Sequence, residues 1–208
     1  MPRKKTPAGA PEPPRPAPPT RKGFKNTQVR GREHLTPAEV EQLATAAAKL
    51  GRHGARDALL IRMAFRHGFR NTELVNLRRD QVDPTTGQLH VRRAKRGMDS
   101  THPLAGWEIR GVRRLFKEYP VGPHVFTTER GGPLTESGVR KIVARAGVAA
   151  GIAFPVHPHM LRHATGFKLA NDGQDTRSIQ HYLGHKNIQH TVRYTALAGD
   201  RFKDFWPD

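Results

Sequence analysis

The chain has no cysteine among its 208 residues, so disulfides and thiolate metal sites are both excluded. Carboxylates are scarce: 18 Asp and Glu face 36 Lys and Arg, a formal net charge of +18. Aromatic residues make up only 7% and apolar residues 36% of the sequence, low for a folded protein. No apolar run approaches the roughly 20 residues that a bilayer-spanning helix needs. The N-terminus has no apolar stretch of the kind that marks a secretory signal. These absences leave an intracellular, cytoplasmic protein with an anionic partner as the expectation, nucleic acid before an acidic membrane surface.

What is present is unevenly spread. Eight of the 17 prolines lie within the first 19 residues, and up to Glu33 nine Lys/Arg stand against two Glu, a net of +7. A Pro-rich, charged, nearly apolar-free segment cannot bury enough surface to fold alone, so residues 1–33 read as a disordered basic arm. Residues 34–208 read as one folded domain and carry the remaining +11 of the +18. Within it, LTPAEVEQLATAAAKLG opens a helix with Thr36 as N-cap, Pro37 at the first helical position and Glu39 three residues after the cap. ARDALLIRMAFRHGF and NTELVNLR continue in helical period. The period then changes, and LHVRR and DSTHPL read as strands joined by a turn at Lys95, Arg96 and Gly97. Helical patterns resume at WEIRGVRRLFKEY, ESGVRKIVARAGVAA, MLRHATGFKLAND, TRSIQHYLG and IQHTVRYTAL. The expected fold is mainly α, with a small antiparallel β-sheet near the N-terminal side. Phe202, Phe205 and Trp206 in the closing RFKDFWPD share a helical spacing and either cap the domain's own core or dock on a neighbouring protomer.

The chemistry concentrates between His157 and Leu197, where six histidines, three arginines and two tyrosines meet only Asp172 and Asp175. A metal site, a basic surface and a phosphate-handling site are the three readings. His159/His163 and His181/His185 have the HxxxH spacing of a metal pair. Against a metal, Gly184 ends the second helix before His185, acidic ligands are few, and arginines would surround any bound cation. A phosphodiester in reaction needs cations on its non-bridging oxygens, a nucleophile and a proton donor for the leaving oxygen. Arg162, one turn after His159, offers the planar fork suited to the first role. A tyrosine hydroxyl needs neighbouring cations and a proton acceptor before it can attack, and Tyr194 follows closely. Tyr182 lies between Ile179 and Leu183 on an apolar face and reads as core.

HPHMLRHATGFKLANDG…LGHKNIQHTVRYT resembles the C-terminal signature of the tyrosine recombinase (phage integrase) superfamily. HGFRNTELVNLRRDQVD resembles its first-arginine box, and LHVRRAKRGMDSTHPL its lysine-bearing hairpin. The phrases HGFR, DSTHPL, HPHMLRH and LGHKNIQHTVRYTA look most like the short fimbrial phase-variation DNA invertases, which lack a core-binding domain. The resemblance implies catalytic roles for Tyr194, Arg70, Lys95, His159, Arg162 and His185. Tyr194 would attack the phosphate and leave a 3′-phosphotyrosyl link, Arg70 and Arg162 would clamp it, and Lys95 would protonate the leaving oxygen. His159 would take the tyrosine's proton and His185 would bind the phosphate, with Glu73 and His163 in support. Double-stranded DNA, a homotetramer on paired sites and DNA-bending accessory proteins are the implied partners; neither metal nor ATP is needed. A type IB topoisomerase-like nicking enzyme and a catalytically silent DNA-binding regulator are the rival readings.

Overall fold

A computed structural model describes residues 34–94 and 97–196. The basic arm, Lys95 and Arg96, and the aromatic C-terminal segment therefore lie outside the described residues. Helix α1 (Pro37–Ala48) starts where the sequence places it, with Pro37 at its head. The Glu39 N–H donates to Thr36 Oγ1 (3.2 Å) and the Thr36 N–H donates to the Glu39 carboxylate (2.8 Å). This capping box satisfies two donors that a helix start leaves unpaired. Helix α1 buries Val40, Leu43, Ala44 and Ala47, and packs on α2 (Gly54–Arg66) and α5 (Glu136–Ala149).

After the short α3 (Asn71–Val75) the chain forms a three-stranded antiparallel sheet, β1 (Val82–Asp83), β2 (Gln88–Val91) and β3 (Ser100–Pro103), in that order. Leu89 faces His102 and Val91 faces Ser100 across the β2–β3 register. Leu89 and Val91 point into the core while Gln88 and His90 point out, the alternation expected of a sheet wet on one side. Strand β1 is an addition to the sequence reading, because two residues are too few to show a period. Helices α4 (Gly106–Glu118), α6 (Pro158–Asn171), α7 (Thr176–Leu183) and α8 (Gln189–Ala196) complete the described fold.

The apolar interior falls into two clusters. The larger joins α1–α5, the sheet and the Met160, Leu161 and Ala164 side of α6. The smaller is built from Ala170, Ile179, Leu183 and Tyr194, with Phe167, Leu169 and Tyr182 around it. Helix α6 stands between the two, which is why so much of it is buried, Arg162 and His163 included.

Candidate active site

The site is assembled from helix ends. Helix α2 stops at His67, and Gly68 turns the chain with φ +59°. A Cβ on Gly68 would stand 2.4 Å from the Leu183 side chain, so this turn needs glycine for both its dihedral and its space. The turn presents the Gly68 carbonyl to the interior, where it accepts hydrogen bonds from Arg162 Nη1 and Arg93 Nη1. Two residues on, Arg70 heads α3; its N–H donates to Glu73 Oε2 (2.9 Å) and its Nη1 to Glu73 Oε1 (2.6 Å).

Glu73 is the hub. Its buried carboxylate also takes Arg93 Nη1 at 3.0 Å and the Ala94 N–H at 3.0 Å, and Arg162 Nη1 lies 3.9 Å away. Burial pushes this carboxyl upward, but Arg93, Arg70 and Arg162 outweigh it and hold the group below the ordinary glutamate value. One anion thus gathers three guanidinium groups at one place.

Arg162 and Arg93 also finish α7. Arg162 Nη2 donates to the Leu183 carbonyl (2.7 Å), and Arg93 Nη2 donates to the Tyr182 carbonyl and to that of His67 (3.0 Å). The last carbonyls of a helix lack intrahelical donors and carry partial negative charge, so two buried cations fit there. Gly184 then closes α7 in the left-handed region (φ +64°), and a Cβ on it would meet the Arg93 side chain at 2.5 Å. Desolvation, aggravated by Arg70 and Arg93 and relieved by Glu73, lowers Arg162 to about 9.

Beyond Gly184, His185 is buried with its Nδ1 2.8 Å from Thr191 Oγ1. Burial, with Arg162 and Arg70 nearby, lowers its pKa to about 3, so its ring is neutral at working pH. Arg70, Gly97, Arg177, Gly184, His185 and Lys186 line an open cleft of about 610 Å³. Its basic walls leave room for a phosphate backbone.

Tyr194 packs inside the smaller core, 1% exposed, over Gly166. A Cβ at Gly166 would come within 2.5 Å of the tyrosine ring. The phenol oxygen lies 2.9 Å from His163 Nδ1, and the ring is stacked with that of His185 at 6.3 Å. His159 meets His163 edge-on at 4.2 Å. Desolvation, then Arg162 and other nearby cations, lowers His159 to about 4; desolvation, then His159 and Arg193, lowers His163 to about 2. Arg193 Nη2 is 2.9 Å from His163 Nε2 and 3.4 Å from the Tyr194 oxygen.

Of the residues singled out in the sequence, Arg70, Glu73 and Arg162 meet directly, His185 borders their cleft, and His163 meets Tyr194 while His159 packs on His163. Lys95 lies outside the described residues, although its neighbour Ala94 is held on Glu73. Tyr182, read as core, is only half-buried: it stacks on His102 at 4.0 Å and donates its hydroxyl to the Arg66 carbonyl (2.8 Å). Two residues escaped the sequence reading. Arg93 continues the alternation of β2, where Leu89, Val91 and Arg93 all point inward, and that phase was the signal. Arg193 offered none beyond standing next to Tyr194.

The phage integrase family model matches residues 33–201 of this chain. The chain is 41% identical over 180 residues to the type 1 fimbriae regulatory protein FimB of Escherichia coli K12, covering 84% of this chain and 90% of that protein. It is 33% identical over 159 residues to the tyrosine recombinase XerC of Oceanobacillus iheyensis, covering 73% of this chain and 52% of that one. The crystal structure of the XerH site-specific recombinase bound to its palindromic difH substrate, a post-cleavage complex, superposes with a TM-score of 0.70 at 23% identity. That likeness covers 83% of this chain and 52% of XerH, and at such identity shows the fold alone. The chain thus spans nearly all of the fimbrial protein and about half of XerC and XerH.

Proposed function

The chain belongs to the phage integrase family, and from that premise we propose that Tyr194 is the nucleophile of a DNA-cleaving centre clamped by Arg70 and Arg162. The protein is a site-specific tyrosine recombinase. The observation that carries the assignment is the gathering of Arg70, Arg93 and Arg162 on Glu73 at the edge of a basic cleft, with His185 on its wall and Tyr194 stacked behind.

Arg162 commits one N–H to each of two carbonyls, and a guanidinium keeps further donors for a non-bridging oxygen. Arg70, anchored on Glu73 through Nη1, reaches the cleft with the rest of its fork. Arg70 lines the cleft before substrate arrives and needs little reorganisation as charge builds in the transition state, whereas Arg162 is buried and has to be uncovered first. His185 adds a neutral ring that can donate to the phosphate. The phenol's proton passes to the His159–His163 pair, whose depressed basicity rises when a phosphate brings negative charge beside it. Lys95 supplies the proton for the leaving 5′-oxygen.

Because Tyr194 is buried, α8 has to shift to bring its oxygen to a phosphate in the cleft. The phosphotyrosyl link conserves the bond energy, so a second 5′-hydroxyl can reverse it without ATP or metal. Strand exchange between two sites calls for a homotetramer on paired DNA, with accessory DNA-bending proteins assisting synapsis. Residues 34–208 form the catalytic domain, and residues 1–33 a basic arm that tethers it to DNA. Among the described residues no helix is long and apolar enough to cross a membrane, and we place the protein in the cytoplasm with its DNA. The arginine roles are tested by single-turnover strand cleavage with saturating protein. Arg70→Ala and Arg162→Ala should each lose about 10²–10³-fold in rate, the loss typical of one removed charge-stabilising donor. Unchanged cleavage in either variant removes that residue from the clamp.

A further inference from the structure

We propose that Arg193 is a further catalytic residue: it donates to the phenol oxygen of Tyr194 and stabilises the phenolate as that oxygen attacks. This rests on the assignment of Tyr194 as nucleophile. Arg193 Nη2 lies 3.4 Å from Tyr194 Oη, and the guanidinium carbon sits over the tyrosine ring at 5.1 Å from its centroid. A guanidinium can only donate, and a phenol oxygen losing its proton becomes a stronger acceptor, so the contact tightens along the reaction.

Other charged or titratable groups also face the tyrosine. From α6 come His163, against the hydroxyl, His159 behind it, and Arg162, whose charge reaches the phenol. From the turn after α7 comes His185, and from α8 itself His190, which meets His185. His159, His163 and His185 are held on other elements than α8, His190 of α8 meets His185 edge-on at 6.0 Å, and Arg162 is committed to Gly68 and Leu183. Arg193 shares a helical turn with Tyr194 and contacts its oxygen, so it travels with the nucleophile when α8 shifts. It is solvent-exposed, and its Nη2 also contacts the ring of the buried His163.

In the step itself the Tyr194 Oη–P bond forms and the P–O5′ bond breaks. The phenol proton leaves to the His159–His163 pair, the 5′-oxygen gains one, and Arg193 keeps its own. An opposite charge within 4–6 Å typically moves a titration by about one unit or more towards the charged form.

The test is the full-length chain, at saturating concentration, on a nicked suicide substrate, with the rate of covalent adduct formation followed from pH 6 to pH 10. Arg193→Ala should move the alkaline rise of the profile up by about one pH unit, with a roughly ten-fold loss near pH 7 that is recovered at high pH. Arg193→Lys should restore most of the shift, since it restores the charge. A rate loss equal at every pH, or an unshifted profile in Arg193→Ala, overturns the proposal. Tyr194→Phe should give no adduct; an adduct that persists in it overturns the nucleophile assignment, and this proposal with it. An unshifted profile alongside an inactive Tyr194→Phe overturns only the role of Arg193.

Discussion

Glu73 is the residue on which the arginines depend. Replacing it with glutamine leaves Arg93 and Arg162 buried beside a neutral amide. Breaking a buried ion pair from one side typically costs about 3–5 kcal/mol. Glu73→Gln should therefore lower the unfolding free energy in urea by an amount of that order and abolish cleavage; a variant of wild-type stability would mean the three guanidinium groups do not need the anion. Gly166 makes a second prediction. An added methyl would overlap the seat of the Tyr194 ring, and overpacking typically costs about 1–3 kcal/mol. Gly166→Ala should lose stability of that order and expose Tyr194, read as increased tyrosine quenching by a soluble quencher. Arg70 and Glu73 were legible at this scale only through the family resemblance, and Arg162 also through its one-turn spacing from His159. Arg93 was hidden in the strand LHVRR, because its partner Glu73 lies 20 positions away. Burial did not separate the proposed nucleophile from the tyrosine read as core: Tyr194 is the more enclosed of the two C-terminal tyrosines.

Helix ends do most of the positioning. Helix α7 is framed by Asp175, whose carboxylate accepts the N–H groups of Arg177 (2.8 Å) and Ser178 (3.0 Å), and by Gly184 at the other end. The Gly184 end was readable in the sequence, whereas the Asp175 cap was not singled out there. The sequence did not reveal that Arg93 and Arg162 complete the C-terminal end, because those partners come from other elements. Gly184→Ala should disturb His185 as well as α7: a side chain in the left-handed region costs about 1–2 kcal/mol, and its Cβ would press on Arg93. Asp175→Ala removes only a cap, worth about 1 kcal/mol. The expected outcome is two variants of reduced stability, with cleavage at saturating DNA lost in Gly184→Ala and retained in Asp175→Ala. Equal activity in both would show that the turn into His185 is not set by Gly184.

For the whole molecule, charge and burial set opposite demands. Buried histidines in a basic protein stay neutral: His102 and His185 are lowered to about 3 and His163 to about 2. Unfolding returns each towards 6.5, so below that pH the unfolded chain binds more protons than the folded one. Stability should be full above pH 6.5 and fall as pH drops towards 3, with a slope approaching ~1.4 kcal/mol per pH unit for each histidine. A flat stability curve between pH 6.5 and pH 4 would contradict the buried neutral rings. The mainly helical class and the sheet near the N-terminal side were legible from periodicity. The division into two cores was not, because it depends on α6 being shared by both.

In the proposed reaction the basic cleft serves one phosphate attacked by Tyr194. That reaction is tested most directly by covalent trapping of the full chain on a nicked suicide DNA substrate, in chelator, with wild type beside Tyr194→Phe. The expected result is a DNA-linked species in the wild type that survives denaturation and maps by peptide mass to Tyr194, and none in the variant. An adduct on another residue, or one that persists in Tyr194→Phe, would contradict it.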